Sequence, residues 1–289
     1  MYRAIVREPR LGAAKPATHL RPPLIAILAI LVGLALCGYP RPVVSTQADS
    51  AQQPQTLSLE LNIPAFRLDV RDGSILVRSF PVAVGMRRYK TPTGDFEITR
   101  IVWNPWWFPP DAEWAANDTV TPPGPTNPMG KVKLMFNGPY YLHGTPLASS
   151  IGRAASHGCV RLRNEDAVEL ARIVQKQGGV EVTESLMDSL ATAWTKTRLF
   201  ELASFIPVTI VYRTAEVRDS MFSLYPDVYR RLRDTPYDRA LAALNAAGID
   251  SSAVDTHAVR RLARRAVRLM VSVPLEQVLV LAVAGGLEP

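Results

Sequence analysis

The chain has 289 residues, of which 47% are hydrophobic, and a formal net charge of +7. This length suits one sizeable domain with extensions or two small domains, and the apolar content is sufficient for a packed core. The charge does not indicate nucleic-acid binding, because residues 1–48 hold six basic side chains and one acidic side chain and so carry most of it. We therefore expect no nucleic-acid partner.

The first 42 residues have the features of an export signal. Basic side chains end at Arg21, and an uncharged apolar run follows at residues 24–37. This run is shorter than the roughly 20 residues that span a bilayer, and its length suits the apolar region of a signal peptide. Residues 1–42 are therefore predicted to be a signal peptide or an N-terminal membrane anchor, which places the protein in the periplasm or cell envelope. Two alternatives are a buried core helix and lipoprotein acylation at Cys37, where a bulky Leu36 precedes the cysteine.

The pattern changes from a polar linker to β-strands at residue 57. Residues 43–56 are rich in Ser, Thr, Gln and Ala and are predicted to be a flexible linker. Leu57, Leu59 and Leu61 then alternate with polar residues, which is the period of a half-buried strand. Asp72-Gly73 predicts a hairpin turn. Further strands are predicted at residues 66–70, 75–80, 95–103, 131–136, 140–143 and 207–212.

Residues 104–130 form a long segment without helix or strand periodicity. It contains seven prolines and the aromatic residues Trp106, Trp107, Phe108 and Trp114. A segment of this length without secondary structure is usually functional or disordered, and its aromatic content argues against disorder. We therefore expect a loop that covers a functional site, with Trp107 in contact with the ligand bound there. The alternative is a loop whose tryptophans only pin it to the core.

Helices are predicted in the second half of the chain. The segment Asn164–Gln177 places apolar residues on one face, with Asn164 as its N-cap and Gly178 at its end. A less regular pattern predicts another helix at residues 185–202. Residues 230–289 are predicted to be a helical C-terminal extension. In its last helix an apolar face, formed by Val259, Leu262, Ala263, Ala266 and Met270, opposes the arginines at 260, 261, 264, 265 and 268. The arginine face is either solvated surface or a binding surface for an anionic membrane or wall polymer.

Cys159 is the first candidate for a reactive group. The chain has two cysteines, and the other one, Cys37, lies in the predicted leader. If the leader is removed, Cys159 has no intramolecular partner, which excludes a disulfide framework and leaves a lone thiol. The alternative is a small buried hydrophobic residue.

Two histidines and an arginine lie close to Cys159 in sequence. A cysteine attacks a carbonyl as its thiolate and needs a base or a cation nearby. His143 ends a predicted strand, a rigid platform that favours it over His157 as the base. Gly158 allows the sharp turn that exposes backbone N–H groups, and Arg161 is suited to a substrate carboxylate. A zinc site formed by both histidines and the cysteine lacks an evident fourth ligand, so no metal is expected. The remaining alternative is a pair of ordinary hydrogen-bonded histidines.

These residues resemble a known signature. His143-Gly144-Thr145, followed by Ser156-His157-Gly158-Cys159-Val160-Arg161, is similar to the signature of YkuD-type L,D-transpeptidases, a histidine and then S/T-H-G-C. The resemblance extends over roughly residues 57–229. It includes Thr91-Pro92-Thr93-Gly94, Asn104-Pro105-Trp106-Trp107, Pro123-Gly124-Pro125, Asn127-Pro128 and the segments 207–212 and 225–229.

The resemblance implies a mainly β fold, with a β-sandwich-like catalytic domain at residues 57–229 and one or two packed helices. It also implies an enzyme that uses peptidoglycan stem peptides as donor and acceptor. The bond after the third residue of a tetrapeptide stem is cut, the terminal D-alanine leaves, and the acyl group passes to an amine. Neither a cofactor nor a metal is implied.

The resemblance further implies roles for single residues. Cys159 is the nucleophile that forms a thioester, His143 is its base, and the carbonyl of Gly144 orients the imidazole. Backbone N–H groups around Gly158 and Cys159 form the oxyanion hole. The expected substrate-binding residues are Ser156, His157, Arg161 and, from the loop, Trp107.

Other families of cysteine enzymes fit the sequence less well. Sortases place their cysteine after a threonine, and papain-like and NlpC-type peptidases place the cysteine before the histidine. Two alternatives stay open within the resemblance. Water in place of an amine gives a carboxypeptidase or endopeptidase, and an inactive domain gives a wall-binding module.

Overall fold

An eight-stranded β-sheet forms the largest part of the structure. The computed structural model describes residues 57–194 and 196–280, so the predicted leader and linker at residues 1–56 lie outside the described residues. The strands are β1 (Leu57–Asn62), β2 (Arg67–Asp72), β3 (Ile75–Pro81), β4 (Val84–Gly85), β5 (Gly94–Trp103), β6 (Val132–Asn137), β7 (Tyr140–Thr145), β8 (Ala154–Ser156), β9 (Val160–Arg163), β10 (Arg198–Val211), β11 (Ala215–Arg218), β12 (Met221–Leu224) and β13 (Val271–Pro274). The helices are α1 (Asn164–Gln177), α2 (Glu184–Thr192), α3 (Pro236–Ala246) and α4 (Thr256–Ala266).

The strand order of the large sheet is β3-β2-β1-β10-β5-β6-β7-β9. Most neighbours are antiparallel, but β1 pairs with β10 and β7 pairs with β9 in parallel. Strand β10 lies between β1 and β5 in the middle of the sheet. In the sequence, however, it follows the helices α1 and α2. The short strands β4 and β8 pair with each other outside this sheet. The fold is mainly β with few helices, as expected.

The core lies between the sheet and α1. Leu57, Leu59 and Leu61 are buried and alternate with less buried polar residues, which confirms the period-two pattern. Helix α1 has the predicted bounds and buries Ala167, Leu170, Ala171 and Val174. The predicted cap is wrong, because the side chain of Asn164 does not cap the helix but accepts a hydrogen bond from the N–H of Lys131 at 2.9 Å.

The helix predicted at residues 185–202 is correct only in its first half. Helix α2 ends at Thr192, and β10 begins at Arg198. In the register of the sheet Arg198 is paired with Trp103 and Glu201 with Arg100, so the backbone of this segment is hydrogen-bonded to β5. This tertiary pairing overrides a local preference for helix.

The C-terminal extension contains the helices α3 and α4, as expected, and the strand β13, which belongs to a small sheet that was not predicted. Its strand order is β11-β12-β13, and β11 and β12 precede residue 229. A second hydrophobic cluster joins this sheet to both helices through Phe222, Leu224, Leu244 and Val259, among others. The prediction that Met270 belongs to the buried face is wrong: α4 ends at Ala266, and Met270 is 63% exposed.

Helix α4 has a side-chain cap at its start. Its N-cap is Asp255, whose side chain accepts hydrogen bonds from the N–H groups of His257 and Ala258, whereas Ser251 and Ser252 belong to a separate short turn. Over residues 57–194 and 196–280, no helix combines the length and hydropathy of a membrane-spanning helix.

A group of charged side chains ties the small sheet to the large one. Asp69 of β2 is only 1% exposed. Its carboxylate forms ion pairs with Arg218 of β11 at 2.7 Å and with Arg67 at 3.0 Å. Arg67 also reaches Glu216 at 2.8 Å. Because Asp69 is buried, its charge requires these partners.

Candidate active site

The parallel pairing of β7 with β9 brings the predicted chemical residues together. In this register His143 lies beside Arg161, and Leu142 lies beside Val160. Leu142 and Val160 are fully buried in the core. Because side chains alternate along a strand, His143 and Arg161 share the opposite face. Cys159 immediately precedes β9 and is two residues from Arg161, so the same alternation directs it toward that face.

His143 is held in one tautomer. Its side chain is buried, and Nδ1 lies 2.6 Å from the carbonyl oxygen of Gly144. A carbonyl oxygen can only accept, so in the neutral imidazole Nδ1 carries the proton and Nε2 is unprotonated. Burial lowers the pKa of His143 to about 4; the carbonyl of Gly144 opposes this shift, and the charge of Arg161 adds to it. The imidazole is therefore neutral at neutral pH and can accept a proton at Nε2.

The thiol of Cys159 is also neutral at rest. Burial raises the pKa of Cys159, while a hydrogen bond with the backbone of Tyr141 and the charges of Arg161 and Lys133 act in the opposite direction. Sγ lies 3.6 Å from the carbonyl oxygen of Pro139, which can accept the thiol proton. Burial thus favours the neutral form of both the thiol and the imidazole.

Ser156 and Gly158 shape the turn that carries the cysteine. The buried hydroxyl of Ser156 donates to the carbonyl oxygen of Cys159 and accepts from the N–H of Gly158 at 3.1 Å. Gly158 has φ +114°, and a Cβ there would lie 2.5 Å from Cε1 of Tyr140, so only glycine fits. The N–H of Gly158, expected to face an oxyanion, is engaged by Ser156 in this structure.

Thr91 supports the same turn from another segment. Its hydroxyl donates to the carbonyl oxygen of Gly158 at 2.9 Å and accepts from the N–H of Gly85 at 2.8 Å. The N–H of Thr91 donates in turn to the hydroxyl of Tyr229 at 3.0 Å. Sequence reasoning gave neither Thr91 nor Tyr229 a role, although both belong to segments that carry the family resemblance.

His157 lies between two aromatic rings. The indole of Trp114 stacks on its imidazole with a centroid separation of 3.8 Å and an interplanar angle of 2°. Tyr89 contacts the same imidazole edge-on at 4.7 Å. Partial burial lowers the pKa of His157, and the charge of Arg161 lowers it further. The stacking is therefore between a neutral imidazole and an indole at neutral pH.

The loop at residues 104–130 is ordered by its own polar groups. Asn127 is fully buried; its Nδ2 donates to carbonyl oxygens that include those of Pro105 and Pro122, and its Oδ1 accepts from the N–H of Met129. These bonds replace regular secondary structure, of which the segment has only one short turn and a bridge between Trp107 and Thr121.

The tryptophan of this loop that reaches the cysteine segment is Trp114. Trp107, the predicted substrate contact, is partly buried. Its ring stacks on no other aromatic ring of the described residues. An ion pair between Arg88 and Glu113, 3.6 Å apart, accompanies the contact of Trp114 with His157. The sequence identified the loop, but only the structure shows which ring meets the site.

The charge of Arg161 acts on all three of the neighbouring titratable groups, His143, His157 and Cys159. Burial lowers the pKa of Arg161, and the sulfur of Cys159 opposes that shift. As to metals, the part of the chain that the structure describes contains no group of three or more His, Cys, Asp or Glu side chains arranged to hold an ion.

The segment that contains this site is similar to a known protein family. The family model described as the L,D-transpeptidase catalytic domain, YkuD, matches residues 58–185. A curated relative from Bacillus licheniformis named as L,D-transpeptidase YkuD is 34% identical over 131 residues, which cover 45% of this chain and 66% of the relative. The YkuD of Bacillus subtilis is 32% identical over 126 residues, covering 43% of this chain and 63% of the relative.

The similarity does not extend over whole proteins. The chain spans less than two thirds of the length of these Bacillus relatives. The Escherichia coli protein named as L,D-transpeptidase YbiS is 38% identical over 102 residues, which cover 32% of this chain and 33% of that protein. A solved L,D-transpeptidase from Mycobacterium smegmatis has a TM-score of 0.35 at 15% identity, covering 54% of this chain and 58% of that one, a similarity too low to support an inference.

Proposed function

Residues 58–185 belong to the YkuD family of L,D-transpeptidase catalytic domains, and on this premise we propose that the protein is a cysteine-dependent L,D-transpeptidase acting on peptidoglycan stem peptides. The observation that carries the proposal is the pairing of β7 with β9. It sets the tautomerically fixed His143 beside Arg161, two residues from the only cysteine of the described residues, Cys159.

The first chemical step follows from the two neutral groups. Sγ of Cys159 attacks the carbonyl carbon of the donor peptide bond while its proton passes to Nε2 of His143. The imidazolium then gives this proton to the departing amine, and the C–N bond breaks to leave a thioester on Sγ. The carbonyl of Gly144 keeps Nδ1 protonated and the ring oriented throughout, because it accepts the Nδ1–H bond.

The second step reverses the roles with a different nucleophile. An acceptor amine attacks the thioester carbonyl and loses its proton to His143, and the sulfur leaves and recovers that proton as the thiol. No cofactor takes part in either step. The oxyanion of each tetrahedral intermediate requires N–H donors, for which the amide of Cys159 is the proposed group, joined by that of Gly158 if the bond to Ser156 opens on binding.

The remaining site residues are proposed to bind the donor stem. Arg161 offers a partly buried guanidinium for a stem carboxylate, since this planar cation can form two parallel hydrogen bonds. Ser156 fixes the turn that presents Cys159, and His157 and Trp107 contribute to the wall of the pocket. Trp114 joins this set because it stacks on His157. Peptidoglycan lies outside the cytoplasmic membrane, so the proposal includes export to the cell envelope, with the N-terminal segment as signal or anchor.

The test is turnover of a disaccharide tetrapeptide by the purified full chain, with products identified by mass spectrometry. We expect loss of D-alanine and a cross-linked product, and Cys159→Ser should abolish both because a hydroxyl has a far higher pKa than a thiol. Cys37→Ser, at the other cysteine of the chain, is the matched control and should keep full activity. Turnover in the Cys159→Ser variant would refute the nucleophile, and a tripeptide without cross-linked product would assign hydrolysis instead of transfer.

A carbapenem provides an independent probe of the same thiol. Its strained lactam carbonyl presents the same electrophile as the donor peptide, so we expect one covalent adduct by intact-protein mass spectrometry. The adduct should be absent in Cys159→Ala and present in Cys37→Ala. An adduct that persists in Cys159→Ala would place the nucleophile elsewhere.

A further inference from the structure

The C-terminal extension has a strongly basic face, here called the arginine face. It is formed by Arg260, Arg261, Arg264, Arg265 and Arg268, all of them exposed. At 3.6 residues per turn these positions fall within less than half of the circumference of α4 and the turn that follows it. The opposite side of α4 is buried, with Val259 and Ala263 in the second hydrophobic cluster. The arginine face is therefore presented outward by a helix that is firmly packed behind it.

The positive charge of this face is offset only in part, because Asp238 acts on Arg260 and Asp255 acts on Arg261 without forming an ion pair. No acidic residue occurs between Thr256 and Leu275. Within residues 57–194 and 196–280, none of the five arginines has a carboxylate within 4.0 Å. Elsewhere in the described structure, exposed arginines such as Arg78 and Arg100 do have acidic partners. The arginine face thus concentrates five exposed cations on one side of a single helix and the turn that follows it.

Apolar side chains border the arginine face at its C-terminal end. Val267, Leu269 and Met270 are 60%, 64% and 63% exposed, although a turn of polar residues would serve an aqueous surface better. Beside them a groove of about 210 Å³ runs between α3 and α4, lined by Tyr237, Ala263 and Val267 and flanked by arginines. Arg260 lies over the ring of Tyr237 at 4.1 Å. The surface is therefore cationic and apolar at once.

We propose that the arginine face and its apolar border bind the surface of an anionic phospholipid membrane. Guanidinium groups contact lipid phosphates while the adjoining apolar side chains enter the boundary between headgroups and acyl chains. The three exposed apolar residues select this occupant over a soluble anionic polymer, which offers phosphate or carboxylate charge but no apolar layer. The proposal does not depend on the catalytic activity proposed above, because it uses none of its residues.

The test measures partition of the full chain onto vesicles of phosphatidylcholine with and without phosphatidylglycerol. Neutral vesicles report apolar contributions of the chain, and the gain on adding the anionic lipid reports all of its basic surfaces, including the basic residues 1–48. The part of that gain that is lost in the arginine variant but not in its control reports the arginine face. The test variant carries Arg261→Gln, Arg264→Gln and Arg265→Gln. A matched control of equal charge carries Lys176→Gln, Arg198→Gln and Arg233→Gln, at cations exposed outside α4.

We expect the test variant to lose about 100-fold in binding to anionic vesicles, at roughly fivefold for each arginine near a lipid surface. The control should lose much less. Leu269→Ser with Met270→Ser should weaken vesicle binding several-fold and leave binding to soluble polyphosphate unchanged. Circular dichroism spectra and melting temperatures equal to wild type show that the variants are folded, because the substituted side chains are all exposed.

Two results would overturn the proposal. Equal losses in the arginine variant and its control would show that only net charge matters. An arginine-dependent binding of polyphosphate, with vesicle binding insensitive to the change at Leu269 and Met270, would assign the surface to an anionic polymer.

Discussion

The indole ring of Trp114 lies parallel to the imidazole ring of His157, with the ring centroids 3.8 Å apart. The two residues come from different parts of the chain: Trp114 from the long proline-rich loop, and His157 from the turn that carries Cys159. This contact links the loop to the turn that carries the cysteine, and the backbone of Met129, also in the loop, hydrogen-bonds His143. The loop is otherwise stabilised internally through Asn127, so the stack can break without the loop losing its own hydrogen bonds.

Removal of the Trp114 ring should impair substrate binding more than stability. Trp114→Ala removes the surface that covers His157, and we expect the KM for the tetrapeptide donor to rise several-fold. The melting temperature should change little, because the ring is 36% exposed. The measurement is donor-saturation kinetics together with thermal melting.

Trp106→Ala is the matched control for this prediction. Trp106 belongs to the same loop and is 44% exposed, but it stacks on Phe108 and not on a site residue. The KM of the Trp106→Ala variant for the tetrapeptide donor should stay near that of wild type. Trp107→Ala, measured alongside, tests the substrate contact predicted from the sequence. A fall in melting temperature for Trp114→Ala with unchanged kinetics would show that this ring is only an anchor.

Thr91 should act as a positioning residue for the cysteine turn. Thr91→Val keeps the shape of the side chain but removes the hydroxyl that joins the N–H of Gly85 to the carbonyl of Gly158. The two groups left without a partner should cost about 1–3 kcal/mol of stability. Because the turn carries Cys159, a shift of the sulfur should also lower kcat by roughly 10-fold to 100-fold, with a smaller change in KM.

Two further variants separate positioning from a general structural effect. Thr91→Ser retains the hydroxyl and should recover most of kcat. Thr93→Val, two residues away at an exposed position, should behave as wild type. If Thr91→Val lost stability but kept the kcat of wild type per folded molecule, Thr91 would have no part in positioning the nucleophile.

The buried imidazole of His143 should make the protein less stable in acid. Its pKa falls from 6.5 to about 4 on folding, so between these values the unfolded chain binds a proton that the native state does not. Stability from this group is therefore fully present above pH 6.5 and is lost as the pH falls toward 4, by about 3 kcal/mol in total. Catalysis should depend on the pKa of His143 in the folded protein. The value of kcat/KM should therefore fall on acidification only near pH 4.

Denaturant unfolding at several pH values checks the stability part of this prediction. His143→Gln should lack this component of the acid dependence. His257→Gln, at an exposed histidine of α4, should retain it. Identical pH slopes in wild type and His143→Gln would contradict the assignment of the effect to His143.

The buried carboxylate of Asp69 should be a major contributor to the junction between the two sheets. Asp69→Asn leaves Arg218 and Arg67 without their shared partner, and both side chains are only 21% exposed. We expect a loss of about 2–4 kcal/mol in the free energy of unfolding, below the upper range for buried pairs because water reaches the arginines in part.

A surface pair provides the comparison. Glu169→Gln removes the partner of Arg78 at 2.9 Å, where both side chains are about half exposed, and should cost no more than about 1 kcal/mol. Urea unfolding of both variants measures the difference. Equal costs at Asp69 and Glu169 would show that burial of the pair contributes nothing.

The sequence predicted those elements whose local pattern agrees with their tertiary surroundings. Helix α1 has the predicted bounds, because its apolar residues repeat at helical spacing and all face the core. The segment 198–202 was mistaken for helix, since its residues tolerate either state and the strand exists only through pairing with β5. The strands β11, β12 and β13 were missed for a related reason. Each is four residues long, and the helices α3 and α4 separate β13 from the other two, so no local pattern connects the sheet.

The candidate site, too, could be predicted from the sequence only in part. The residues His143, Gly144 and Cys159 could be named from a short motif, and the predicted contact of the Gly144 carbonyl with the imidazole is present. The contacts of Trp114 and Thr91 could not be predicted, because they depend on how a loop and a turn meet the motif in space. A sequence shows that the loop has several tryptophans but not which one faces inward.

The position of β10 has a consequence for how the chain can fold. The family match ends at residue 185, yet β10, at Arg198–Val211, lies between β1 and β5 and holds the two halves of the large sheet together. A fragment that ends with the family match would have two open edges, on β1 and on β5, both lined by apolar residues, and such edges promote aggregation. During synthesis the same edges stay unpaired until residue 211 has been made. The sheet therefore closes late, through contacts between distant parts of the chain, a topology associated with slow folding.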